Sequence, residues 1–229
     1  MRAFRERLRE GSYGRTSYSQ TGEDLIVDYV LSVYMNIAHP TYLDIGAHHP
    51  IHLSNTYYFY KKRCLGVCVE PDPTLFVNLK KRRPKDICLN VGIGGGQHGM
   101  ADFYVMSTRT LSTFSREEAA RYQTLGEKVE DVIRITLMTV DDVIEKYFDS
   151  PPNFVSIDTE GVDLDILRSF DFSRHRPETF CVETVAHSRD HSGQKITDIF
   201  ELMTANGYYV YADTYINTIF VDGRRSSSK

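Results

Sequence analysis

Apolar and polar residues follow two rhythms along this chain. Over 23–34, Leu25, Ile26, Tyr29, Val30 and Val33 recur at helical spacing. Acids at 23 and 24 suit the positive end of such a helix, and Thr21 is the expected N-cap. Short unbroken apolar runs mark buried strands at 41–45, 64–70, 87–91, 154–157 and 179–185. Two further strands are expected at 101–106 and 132–137. Helices are expected over 54–62, 73–83, 139–148, 163–170 and 196–206, the last ended by Gly207 as a C′ residue. The segments 208–211 and 217–221 read as a closing antiparallel hairpin. Strand and helix alternate up to residue 206, which predicts an α/β fold: a mostly parallel sheet with helices on both faces.

The exceptions to the rhythm carry their own expectations. Residues 107–130 are polar with little periodicity, as an irregular cover over an active face is. Tyr57, Tyr58, Phe59 and Tyr60 are adjacent and cannot share one helix face, so they divide between core and pocket. Lys80, Lys81, Arg82 and Arg83 read as a solvated basic helix end. Gly92, Gly94, Gly95 and Gly96 form a turn, not a phosphate loop, because no Gly-Lys-Ser/Thr follows.

Size and composition narrow the class. The 229 residues fit one domain, expected over 17–222, with an N-terminal arm at 1–16 and a disordered tail at 223–229. A net charge of -4 gives no reason to expect nucleic acid as a partner. No apolar run reaches membrane-spanning length and no secretory signal is visible. The four cysteines, Cys64, Cys68, Cys88 and Cys181, lack zinc spacing and read as reduced core residues of a cytoplasmic protein.

Candidate chemistry sits at the strand tips. The first strand runs into Asp44-Ile-Gly-Ala, the second into Val-Glu70-Pro71, and the run at 154–157 into Asp158-Thr-Glu160-Gly. Ligands of open α/β sheets bind outside the carboxyl ends of the strands, and an acid ending the second strand is the usual partner of a ribose diol. Gly46, lacking a Cβ, lets backbone approach a ligand closely.

Those segments in that order, with Ser-Tyr-Ser-Gln-Thr-Gly-Glu-Asp at 17–24, resemble the FkbM family of S-adenosylmethionine-dependent methyltransferases. The resemblance runs from about residue 17 to about 221. It implies a Rossmann-like class I methyltransferase fold, with a mostly parallel seven-stranded sheet and an antiparallel C-terminal hairpin. It implies S-adenosyl-L-methionine as cofactor and O-methylation, often of a sugar hydroxyl in a glycan or a small natural product. Asp44, Gly46 and Ala47 would border the methionine part, with Asn55 near them. Glu70 and Pro71 would meet the ribose, Asn90 and Val91 the adenine, and Gln20 and Glu23 would close the site from the N-terminal side. Asp158 would stand at the reacting end. Where such folds usually carry more glycines, this chain has His48, His49 and Pro50, so its cofactor loop is shaped differently.

An acceptor hydroxyl must lose its proton during transfer. Asp158 ends one run and Glu183 lies near the end of another, and the two are expected to be neighbouring strands, which lie about 4.8 Å apart. With His187 they would make an oxygen-and-imidazole site for a divalent metal, Mg or Mn. Without a metal, His187 or His191 serves as base. The alternative is that Asp158 and Glu160 only hydrogen-bond backbone. Tyr57, Tyr58, Tyr122 and Tyr208 are candidates for an aromatic rim. Two other functions share the fold: a nicotinamide-dependent oxidoreductase, which needs a Gly-x-Gly-x-x-Gly loop not present here, and a catalytically silent sugar-binding module. The acceptor's identity and the oligomeric state stay open.

Overall fold

The computed structural model describes residues 14–185 and 193–224. The first helix, α1 (Glu23–Asp28), runs into a π-helical turn at Tyr29–Tyr34. Its N-cap is Gly22, at φ 101, not Thr21. The Thr21 hydroxyl instead donates to the Glu23 carboxylate at 2.5 Å, a charged acceptor that outcompetes a helix end.

Parallel strands β1 (Tyr42–Ile45), β2 (Gly66–Val69) and β3 (Ile87–Leu89) follow. They are joined by α2 (Tyr57–Lys61) and α3 (Pro73–Arg82). Asp72 caps α3 by accepting from the N–H groups of Thr74 and Leu75, with proline at the first helical position. After a short strand β4 (Gly92–Ile93), the chain leaves the sheet for a long antiparallel pair, β5 (Gly99–Met106) and β6 (Val129–Met138). It then returns through α5 (Val140–Tyr147), β7 (Phe154–Ile157), α6 (Asp163–Ser169), β8 (Thr179–Glu183) and α7 (Thr197–Ala205). The last hairpin is β9 (Tyr208–Asp213) and β10 (Asn217–Asp222). Thr139 and Asp142 form a capping box at α5.

The main sheet has seven strands in the order β3-β2-β1-β7-β8-β10-β9, with β10 antiparallel to both neighbours. Strands β4, β6 and β5 form a separate three-stranded sheet. Alternate strand residues feed two cores. Leu43, Ile45, Val69, Val155, Ile157 and Val182 pack with α5, α6 and α7. Tyr42, Cys68, Phe154, Cys181 and Ile219 pack with α1, α2 and α3. The four cysteines are free thiols, three of them buried.

Two more expectations fail here. Residues 107–130 are ordered, not irregular. Between β5 and β6 a 3-10 turn (Arg109–Leu111) precedes α4 (Arg116–Thr124), and Met106, Leu111, Ala119 and Tyr122 bury together as a small core. The missed signal is Ser115-x-x-Glu118, where the Ser115 hydroxyl accepts from the Glu118 N–H as an N-cap should. The basic run is also mixed: Lys80, Lys81 and Arg82 are exposed, but Arg83 is completely buried.

Candidate active site

Strand register brings the chemistry into one row. Val69, Ile45, Ile157 and Val182 are successive partners across the parallel strands, and Asn217 pairs with Glu183. One residue further along, the sheet therefore presents Glu70, Gly46, Asp158, Glu183 and Asn217 side by side at its carboxyl edge. All five line one cleft. The β5–β6 excursion forms its opposite wall with Phe103, Leu111 and Phe114.

At one end of the row the residues are tightly organised. The N–H of His48 donates to Glu70 Oε2 at 2.7 Å, and the N–H of Asp72 donates to Oε1 at 2.8 Å. Both oxygens keep lone pairs, so a diol can still be accepted. Burial pushes the Glu70 carboxyl up to about 7, against the pull of those two amides. The histidines account for the loop that lacks glycines. His48 takes a left-handed backbone at φ 44 beside the N–H that donates to Glu70. His49 Nδ1 accepts from the N–H groups of Ile51 and His52 and closes the turn.

Gly46 has a different reason from the one its position suggested. It sits at φ 82, and a Cβ there would overlap the carbonyl oxygen of Asp158. The missing side chain lets β1 meet the end of β7, at a point that also lines the cleft. Asp44 lines the cleft, with Oδ2 accepting from the Thr56 hydroxyl at 2.5 Å. Asn55 donates from Nδ2 to the Ser156 hydroxyl at 3.1 Å and also lines the cleft, as do Gln20, Ala47 and Pro71.

At the other end stand three acids. Asp158, Glu160 and Glu183 have carboxylate oxygens within 4.8 Å of one another. Burial raises Asp158 to about 7, helped by the nearby charges of Asp163, Asp44 and Glu23. Burial and the mutual repulsion of the acids also raise Glu160 and Glu183. Among the described residues, nothing hydrogen-bonds the side chains of Asp158 and Glu183, which leaves their oxygens facing the cleft. Glu160 is held from the excursion: the Tyr122 hydroxyl donates to its Oε2 at 2.7 Å, and the Thr113 hydroxyl to its backbone carbonyl at 2.7 Å. Glu160 itself lies in the left-handed region at φ 54. It is the residue that sequence reasoning undervalued, because its role depends on that backbone turn.

Other residues lie elsewhere. Glu23 is fully buried behind the cleft edge, with its carboxylate accepting from the Thr21 N–H, the Thr214 hydroxyl and, at 3.2 Å, the side-chain amide of Asn217, which does line the cleft. Burial opposes its charge, yet hydrogen bonds from Thr21 and Thr214 hold it at about 2. Asn90 does not line the cleft; its amide ties down the carbonyls of Glu70 and Pro71 at 2.9 and 2.8 Å. Val91 packs against the core beneath. His187 and His191 lie outside the described residues. The aromatic rim does not form. Tyr57 and Tyr58 point away from the cleft, the Tyr122 ring is buried under the excursion, and Tyr208 is buried with its hydroxyl on the Pro177 carbonyl. Phe103 and Phe114 are the aromatic walls instead.

The parallel sheet, the closing antiparallel strand and the acid row at the carboxyl edge are the class I methyltransferase arrangement. Residues 44–210 match the model of the methyltransferase FkbM domain, and the chain belongs to that family. No curated protein matches the chain. Solved structures of similar shape include a TehB-like SAM-dependent methyltransferase from Corynebacterium glutamicum. It is 11% identical, with a TM-score of 0.45, and the match covers 96% of this chain and 97% of that one. An O-methyltransferase from Bacillus cereus is 12% identical over 93% of this chain and 84% of its own, with a TM-score of 0.45.

Proposed function

We propose that this protein transfers the methyl group of S-adenosylmethionine to a hydroxyl, with sugars of a glycan or a small natural product as the acceptor class. The observation that carries the reading is the acid row, with an amide-braced carboxylate at one end and a carboxylate trio at the other. Bound along that row, S-adenosylmethionine supplies a methyl group on a sulfonium. Glu70 accepts the ribose hydroxyls, and the amides of His48 and Asp72 keep it from turning away. Asp158 and Glu183 accept hydrogen bonds from the acceptor's hydroxyls, a task for which unpaired carboxylates suit a polyol. A carboxylate raised to about 7 is matched to proton removal near neutral pH. Asp158 takes the hydroxyl proton as the new C–O bond forms and the C–S bond breaks. Phe103 and Phe114 keep water from that point.

A second reading is a divalent metal on Asp158, Glu160 and Glu183. Their ligand oxygens lie within 4.8 Å of one another, and an all-oxygen set fits Mg or Mn. When bound, such an ion supplies Lewis acidity to the hydroxyl. Thermal-shift titration with S-adenosylmethionine and with NAD tests the cofactor, and methyl transfer to a panel of sugars in chelator tests the rest. Stabilisation by S-adenosylmethionine alone and turnover in chelator are expected. Stabilisation by NAD alone points to an oxidoreductase, stabilisation by neither to a silent module, and turnover only after Mg or Mn is restored to the metal.

A further inference from the structure

Beneath the cleft lies a buried network that the acid row does not include. Arg83, just past the end of α3, has no exposed surface. Its Nε donates to Asp86 Oδ2 at 2.7 Å, and its Nη2 to the hydroxyls of Tyr42 and Thr56 at 3.0 Å each. Nη1 lies 3.7 Å from Asp44 Oδ2. Tyr42 in turn donates to Asp86 Oδ1 at 2.7 Å, so Asp86 is fully engaged. Asp44 is not. Its Oδ2 is held by Thr56 and faced by Arg83, while Oδ1 has no partner among the described residues and opens on the cleft.

We propose that Arg83 is a positioning residue for the amino-acid end of the cofactor, acting through Asp44. This rests on the reading of the cleft as an S-adenosylmethionine site. The guanidinium and the Thr56 hydroxyl fix one oxygen of Asp44, which sets the carboxylate plane and leaves the other oxygen aimed at the cleft. A cationic ammonium is the group such an oxygen takes. Burial raises the Asp44 carboxyl, and the Arg83 charge and the Thr56 hydroxyl pull against that rise. A planar fork can serve Asp86, Tyr42, Thr56 and Asp44 together, and a lysine ammonium cannot.

The test compares two ligands by calorimetry. S-adenosylhomocysteine carries the ammonium, and 5′-methylthioadenosine keeps the nucleoside but lacks it. Arg83→Lys and Thr56→Val are both measured, since loss of the charge altogether would strand two buried acids. Each variant is expected to lose about ten-fold in affinity for S-adenosylhomocysteine, the scale of one hydrogen bond to a charged group, with methylthioadenosine affinity unchanged. Equal losses for both ligands mark a merely structural network and overturn the proposal. Undiminished S-adenosylhomocysteine affinity in the folded variants overturns it as well. If the wild-type protein binds neither ligand, the cofactor reading fails and this proposal with it. Binding of both by the wild type, without selective loss in the variants, sinks this proposal alone.

Discussion

Asp158→Asn should make the protein slower and more stable at once. The carboxyl is raised from 3.8 to about 7 by burial and neighbouring acids. The folded state therefore binds more protons than the unfolded state between those values. Stability falls as pH rises through that window, and the full penalty is present above pH 7. A shift of that size corresponds to about 4 kcal/mol if fully expressed. Water in the open cleft screens it, so about 1–2 kcal/mol is a realistic gain on neutralising the side chain. For a chain of this size that is a rise of roughly 2–8 °C in Tm. The assay is thermal unfolding of wild type and variant in chelator at pH 8 and pH 4. The gain should be present at pH 8 and mostly gone at pH 4, where the folded state holds the proton and the unfolded state is about half protonated. Turnover should drop about 10²- to 10⁴-fold with loss of the base. A variant no more stable than wild type at pH 8 would refute the claim that burial and the neighbouring acids oppose the Asp158 charge in the folded protein.

Two further outcomes follow from the same edge of the sheet. Glu70→Gln can satisfy only one of the two backbone amides that now share the carboxylate. It should cost about 1–3 kcal/mol by urea unfolding and lower S-adenosylhomocysteine affinity about ten-fold or more by calorimetry; unchanged affinity in the folded variant would remove Glu70 from the ribose. Gly46→Ala drives a methyl into the Asp158 carbonyl at a positive φ. A loss of more than about 3 kcal/mol is expected, and a mild loss would mean that β1 and β7 are not so closely joined.

Much of this was legible from the chain because strands that end on acids announce themselves. Glu70, Asp158 and Glu183 each follow an apolar run, and register does the rest. Arg83 was hidden by its company: the fourth residue of Lys-Lys-Arg-Arg reads as solvated until β1 and the turn before β3 supply Asp44 and Asp86 around it. Glu23 was hidden for the opposite reason. Its distant partners Thr214 and Asn217 stand 191 and 194 positions away, and nothing local reveals them. The helix α4 was overlooked because few apolar residues suffice when a small core such as that of Leu111, Ala119 and Tyr122 is all it must cover.

The excursion between β4 and α5 has a further consequence for how such a protein diversifies. It pairs with no strand of the main sheet, yet Thr113 and Tyr122 grip the Glu160 turn. The Glu70 side of the cleft is written into the sheet edge, and much of the opposite wall is written into one contiguous insertion. Exchanging residues 99–138 as a block would therefore redraw that wall, while the His48 amide on Glu70 and the Thr56 hydroxyl on Asp44 stayed in place.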